Sequence, residues 1–221
     1  MKLMVLDGNS VINRAYYGVR ALTTRDGFFT NAIYGFLNIL EKLRADEKPD
    51  ALCVAFDLKA PTFRHLKYDG YKATRHPMPD ELAMQMPVMK DVLRAMRIPI
   101  FECEGWEADD VIGTIGKRCG HAGWDCVIVT GDRDSLQLID ENVHVKLVIS
   151  KPGQTTTTLF DEEKFREEYG FEPKKLIDLK ALMGDSSDNI PGVAGVGPKT
   201  AKELLAKFGS LDGVYAHLDD P

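Results

Sequence analysis

A chain of 221 residues with 44% hydrophobic composition can build one large domain or two small ones around a real core. No apolar run approaches the ~20 residues that span a bilayer, and MKLMVLDGNS lacks a signal-peptide layout, so a cytoplasmic protein without a membrane partner is expected. The net charge of −6 argues at first sight against a nucleic-acid partner, but where the charges lie matters more than their sum. Cys53, Cys103, Cys119 and Cys126 form no CxxC pair and read as reduced core residues rather than disulfides or zinc ligands.

Along the chain, LMVLD ends at Asp7, ALCVAFD ends at Asp57, and CVIVTGDRD ends at Asp132 and Asp134. Each run is short, apolar and followed by turn-like residues, the pattern of a buried parallel strand. Helical periodicity fills the intervals at 31–45, 79–96 and 107–123. IPIFEC at 98–103 and VHVKLVI at 143–149 are candidate further strands. Alternating strand and helix predict an α/β fold with a mostly parallel central sheet flanked by helices. KPGQTTTT reads as a polar turn or hairpin, and from FDEEKFREEYG onward the pattern is helical. We therefore divide the chain softly near residue 160, with 1–160 as the sheet core and 161–221 as a small helical unit packed on it.

In open sheets of this type ligands bind beyond the carboxyl ends of the strands, and all three core strands deliver an aspartate there. GWEADDVIG adds Glu107, Asp109 and Asp110 at a helix start, and GDSSDNIPG adds Asp185 and Asp188 after the helix LIDLKALMG. Acids at a helix start also meet the macrodipole, and acids after a helix also make turns. Crowding is what those readings leave unexplained: two carboxylates about 5 Å apart repel by roughly 3 kcal/mol at an effective dielectric near 20 unless a cation lies between them. The candidate set is Asp7, Asp57, Glu107, Asp109, Asp110, Asp132, Asp134, Asp185 and Asp188. Without His or Cys at ligand spacing, an all-oxygen set selects Mg²⁺ or Mn²⁺. So many acids suit two or more ions about 3.5 to 4 Å apart, an arrangement that serves phosphate hydrolysis. Such neutralisation would leave a mildly basic surface around an acidic pit.

Between Asp57 and the helix at 79, Arg64, Lys67, Lys72 and Arg75 alternate with Phe63, Tyr68 and Tyr71. The segment reads either as a solvated basic loop or as a single-stranded nucleic-acid contact, with charges for the backbone and rings for bases. GVAGVGPKTAKELLAKFGS, residues 192–210, is a Gly-rich turn running into a helix whose N-terminus attracts anions. With the preceding helix at about 174–183 it has the layout of a helix-hairpin-helix phosphate clamp. It is not a Walker A loop, because the GxxxxGK[ST] spacing fails.

LDGNSVINRAYY, FDLKAPTFRHLKYDGYKATR, GWEADDVIG, VTGDRDSLQL and GDSSDNIPGVAGVGPKTA, in that order from about residue 3 to 216, resemble the successive blocks of the 5′-nuclease domain of bacterial DNA polymerase I, within the flap-endonuclease family. The resemblance implies a PIN-like fold, a helical arch at about 60–90 and a C-terminal helix-hairpin-helix unit. It further implies a Mg²⁺- or Mn²⁺-dependent 5′ nuclease acting on DNA at 5′ flaps and 5′ ends, in replication and repair, as a monomer in the bacterial cytoplasm. By that resemblance Asp7, Asp57, Glu107 and Asp109 serve the catalytic ion, while Asp132, Asp134, Asp185 and Asp188 serve the second; Asp110 matches the site without a settled ion. Lys72 and Arg75 match the basic pair that contacts the scissile phosphate, and Arg14, in the loop after the first strand, matches a position near the 5′ strand. Tyr16 and Tyr71 are candidate base-stacking residues, and Arg64 joins the basic contacts. Gly192, Gly195, Gly197, Lys199 and Thr200 match the duplex clamp, which in this family often holds K⁺. The family pattern continues past HLDDP, so a piece of a longer protein, with a fused or separate polymerase domain, or a short stand-alone homologue is expected.

Two other functions fit parts of the sequence. A phosphatase using Asp7 as nucleophile would explain an aspartate at a strand end but not the basic segment or the hairpin. A catalytically silent DNA-binding module would explain both of those but leave the acids without a task.

Overall fold

The computed structural model describes residues 1–151 and 154–218. In chain order the elements are β1 (Lys2–Asp7), α1 (Gly8–Gly18), α2 (Asn31–Glu47), β2 (Ala51–Ala55), α3 (Phe63–Lys67), α4 (Asp80–Ala83), α5 (Gln85–Ala95), β3 (Ile100–Phe101), α6 (Ala108–His121), β4 (Asp125–Thr130), β5 (Val143–Lys151), β6 (Gln154–Phe160), α7 (Glu162–Tyr169), α8 (Leu176–Met183), β7 (Gly184–Asp185), β8 (Ile190–Pro191), α9 (Pro198–Phe208) and α10 (Leu211–Ala216). The first six strands form one sheet in the order β3-β2-β1-β4-β5-β6. Every pairing in it is parallel except β5 with β6, which is antiparallel; residues 152 and 153, between these two strands, lie outside the described residues.

Strand alternation sorts the core into two layers. On one face Met4 and Leu6 of β1, Val54 of β2, and Val127 and Val129 of β4 pack with Ile12, Phe36, Leu40, Leu82, Met89 and Leu93 of the N-terminal and central helices. On the other, Val5, Cys53, Ala55, Cys126 and Ile128 pack with Ile112 of α6 and with Phe165, Leu179 and Leu205 of the C-terminal helices. Both faces being covered explains why these strands read as continuous apolar runs rather than alternating ones. The C-terminal helices therefore share a core with the sheet.

The structure departs from the sequence reading at several places. Residues 8–18 form a helix, because Asp7 caps it by accepting from Ser10 N at 2.9 Å, so Arg14 stands on a helix and not in a loop. The helix expected at 79–96 breaks at Met84 into α4 and α5. The arch region is helical over the strap only at Phe63–Lys67; its remaining helix belongs to the core, where Leu82, Met89 and Leu93 are fully buried. Cys103 is exposed, while Cys53, Cys119 and Cys126 are buried, and all four thiols are free.

Candidate metal centre and nucleic-acid interface

Parallel pairing of β2, β1 and β4 puts their carboxyl ends at one edge, and there Asp7, Asp57 and Asp132 meet. Asp7 is 6% exposed, and its second oxygen accepts from Thr130 Oγ1 at 2.8 Å. Thr130 Oγ1 in turn accepts from Asp132 N at 3.0 Å, so one buried hydroxyl sets the spacing of two acids on adjacent strands. Asp57 accepts from Ala108 N at 2.7 Å, which pins the N-terminus of α6 to the end of β2 and brings Asp109 in beside the other three. These four and Glu107 line a cavity of about 450 Å³, together with Asn9, Ser10, Asn13, Lys72, Arg75 and His76.

Burial, and after it the charges of Asp7, Asp132 and Asp57, pushes the Asp109 carboxyl up to about 8. Asp7 is raised to about 6, again by burial first and then by Asp57 and Asp132, against the hydrogen bonds from Ser10 and Thr130. Buried carboxyls raised in part by neighbouring carboxylates mark a place where a cation would relieve the repulsion. As the side chains stand, no three His, Cys, Asp or Glu among the described residues converge to ligate one ion. A divalent cation that keeps several waters and takes only one or two protein carboxylates would fit such a site.

The three crowded acids of GWEADDVIG do different work. Asp110 lines the adjoining cavity instead: it accepts from both terminal nitrogens of the Arg64 guanidinium, at 2.7 and 2.8 Å, and from Glu107 N at 3.0 Å. Burial would raise its pKa, but Arg64 outweighs that and holds the carboxyl below the usual range. Glu107 accepts from the Tyr71 hydroxyl at 2.9 Å and from Lys72 Nζ at 2.7 Å. Asp109, between them, faces the acid cluster. The helix starts with Glu107 at its N-cap and Asp110 closing the capping box, so Asp110 is spent on Arg64 and the Glu107 amide while Glu107 and Asp109 line the cavity.

The acids of the expected second ion lie next to these, along a lining that runs through Asp132 and Asp134 to Asp188. Asp134, Asp185 and Asp188 are each paired with a cation of the chain itself, while Asp132, among the described residues, is not. Arg75 bridges to Asp188, and Lys180 stands 2.8 Å from both Asp134 and Asp185. Burial would raise Asp185, yet Lys180 and Ser187 together hold it well below the ordinary carboxylate range. Asp134 stays raised, because its burial exceeds what Lys180 offsets.

The strap from 57 to 79 is sewn to the β7–β8 hairpin. Lys72 N donates to Asp188 O at 2.9 Å, and Asn189 Nδ2 donates to Gly70 O at 2.8 Å. Lys72 and Asn189 both adopt left-handed backbone, with φ of 56°. That backbone is ordinary for Asn but uncommon for Lys, and it is held where strap meets hairpin, which places the Lys72 ammonium over the acids.

Several expected DNA contacts find different duties. Tyr71 is 7% exposed with its hydroxyl on Glu107, so its ring is not offered to a base. Tyr16 is half-buried against the core, whereas its neighbour Tyr17 is 67% exposed. Arg14 donates to the Gly131 carbonyl at the end of β4. In the Gly-rich turn, a Cβ on Gly192 would overlap the backbone of Met183 and Gly184, so that glycine serves close packing. Gly195 and Gly197 face open space, and Lys199 and Thr200 are exposed at the start of α9. Sequence reading missed Thr130, Ser10, Asn9 and Lys180. Their neighbours in DGNS, VTGD and LKALMGD were in view, but a hydroxyl or lysine beside an acid carries no signal until the fold brings the two together.

A parallel sheet gathers aspartates at one edge beneath a cationic strap, the α/β layout in which ligands bind beyond the strand ends. The chain belongs to the 5′-3′ exonuclease family: residues 2–170 match its N-terminal resolvase-like domain and residues 171–221 its C-terminal SAM fold. It is similar to DNA polymerase I of Caldicellulosiruptor bescii, 48% identical over 219 residues, which is 99% of this chain and 26% of that protein. DNA polymerase I of Bacillus subtilis is 43% identical over 219 residues, 99% of this chain and 25% of that one. The chain thus spans about a quarter of the length of these relatives. Among solved structures, T5 5′-exonuclease with bound zinc superposes with a TM-score of 0.79 at 24% identity, covering 100% of this chain and 80% of that one. The catalytic core of Rad2 in complex with DNA substrate gives 0.63 at 20% identity, covering 99% and 66%. At these identities the two structures establish the shared fold.

Proposed function

We propose that this chain hydrolyses DNA phosphodiester bonds at 5′ flaps and 5′ ends, with Mg²⁺ or Mn²⁺ held at the Asp7, Asp57, Asp109 and Asp132 cluster. The observation that carries the reading is the placement of Lys72 and Arg75 on the same cavity as those four acids. A phosphate entering there meets two cations on one side and the acid cluster on the other. Bound divalent ions supply acidified water and neutralise charge on the phosphate.

The chain's own residues do the rest. Lys72 and Arg75 exchange their carboxylate partners, Glu107 and Asp188, for the phosphate oxygens, and so hold it where charge develops. Thr130, Ser10 and Ala108 N keep the acids in register. No protein nucleophile is required, and a phosphatase would leave the strap and the glycine-rich hairpin without a task. Gly195, Gly197, Lys199 and Thr200 present backbone amides and a cation at the start of an 11-residue helix, a fit for duplex phosphate, with K⁺ as the candidate cation of that turn. On this reading residues 1–160 form the catalytic unit and 161–221 the duplex-binding one, acting as a monomer.

End-labelled flap DNA incubated with the purified chain, with Mg²⁺ and with chelator, tests the proposal. Cleavage in Mg²⁺ alone, lost in Asp109→Asn with flap binding retained, is the expected result. Binding without Mg²⁺-dependent cutting in the unaltered chain would instead make it a silent DNA-binding module.

A further inference from the structure

The ion pairs of the site divide its acids into two groups. Arg64, Lys72, Arg75 and Lys180 take Asp110, Glu107, Asp188, and Asp134 with Asp185. Among the described residues no salt bridge reaches Asp7, Asp57, Asp109 or Asp132. One half of the site therefore holds acids without a salt-bridged cation, and the acids of the other arrive already paired.

Lys180 is the fixed part of that neutralisation. Lys72 and Arg75 belong to the strap and face the cavity where substrate would enter, so phosphate can draw them away. Lys180 stands on α8, a core helix whose Leu176, Leu179 and Leu182 are buried. Its ammonium sits 2.8 Å from Asp134 Oδ1 and 2.8 Å from Asp185 Oδ2, between two carboxylates contributed by different parts of the chain. A lysine in the last turn of a helix is ordinary, because it meets the negative end of the macrodipole. That explains neither its reach across to Asp134, in the segment after β4, nor the sharing of one ammonium by two acids.

We propose that Lys180 is a built-in counter-ion of the second half-site: its ammonium holds the place between Asp134 and Asp185 that a divalent ion would take, making that half-site weak and its filling secondary to the first. The inference rests on the two-ion reading above and adds an order to it. An ion entering between Asp134 and Asp185 must displace the ammonium, whereas one entering among Asp7, Asp57, Asp109 and Asp132 meets no salt-bridged cation there among the described residues. Lys180 is thus a positioning residue that sets ion occupancy without touching substrate.

Titration of the metal-free chain with Mn²⁺, following the loss of the free-ion EPR signal, gives stoichiometry and affinity without reference to activity. The unaltered chain is expected to show one tighter and one weaker site. Lys180→Met keeps the aliphatic stem on α8 and removes the charge; it should tighten the weaker site about 10-fold and leave the tighter one unchanged. Lys180→Arg should restore the weak site, and Lys180→Gln, if folded where the Met variant is not, should behave like Lys180→Met. A merely structural lysine would lower the melting temperature and leave Mn²⁺ affinities alone, and that result overturns the inference. Two equal sites in the unaltered chain overturn it as well. Mn²⁺-dependent flap cutting with affinities unmoved by Lys180→Met sinks this inference alone, while no Mn²⁺ binding by any form sinks it together with the two-ion reading.

Discussion

Thr130 and Asp7 lie 123 residues apart in the chain and are joined by a 2.8 Å hydrogen bond in the buried floor of the site. The same hydroxyl accepts from Asp132 N, so the acids at the ends of β1 and β4 are spaced by a single atom. Thr130→Val is nearly isosteric, yet it strands a buried carboxylate oxygen and an amide. It should cost about 1 to 3 kcal/mol in denaturant unfolding and weaken Mn²⁺ binding, whereas Thr130→Ser should recover most of both. Unchanged stability and affinity in the valine variant would remove Thr130 from the site.

The raised carboxyls set a pH dependence for the metal-free protein. Asp109 is pushed up to about 8 and Asp7 to about 6, so between the unfolded value near 4 and these pH values the folded state binds protons that the unfolded state has released. Their contribution to stability is fully present below about pH 4 and is lost as pH rises, through about 6 for Asp7 and about 8 for Asp109. Thermal melts in chelator from pH 5 to 9 should show this decline. Asp109→Asn should flatten its upper part, and Mg²⁺ should restore stability most at the alkaline end. Below about pH 8 Mg²⁺ binding should release protons, which calorimetry in buffers of different ionisation enthalpy would detect.

Lys72 is held over Glu107 by its own left-handed backbone and by the bond from its amide to Asp188 O. Lys72→Met removes a cation that competes with metal for Glu107 and that would face the phosphate. Single-turnover cleavage should fall by about 10²- to 10³-fold, with Mn²⁺ affinity kept or improved. A matching loss of Mn²⁺ binding would mean that Lys72 supports the acids instead of the phosphate.

The glycines of the hairpin separate packing from binding. Gly192→Ala drives a methyl into the backbone at the end of α8 and should cost about 1 to 3 kcal/mol or more in unfolding experiments. Gly197→Ala meets open space at a backbone that any residue adopts, so stability should hold while duplex affinity drops, read by titration of labelled duplex at fixed salt. Equal duplex affinity in the Gly197 variant would move the clamp elsewhere.

Read alone, the sequence determined the parallel sheet, its strand-end aspartates, the basic segment and the helical hairpin, because each is local: a short apolar run, a turn residue, a charge spacing. The family followed from the same blocks. Which acid does what was decided only by tertiary structure. Asp109 and Asp110 are adjacent in sequence, yet one is raised to about 8 in the acid cluster and the other is held low by Arg64, 46 residues away. Tyr71 reads as an exposed ring until the fold buries it on Glu107. Lys180 reads as a helix-end lysine until the fold brings Asp134, from the segment after β4, against it. Charge pairing and desolvation act through space at 3 to 5 Å, and no spacing along the chain carries them.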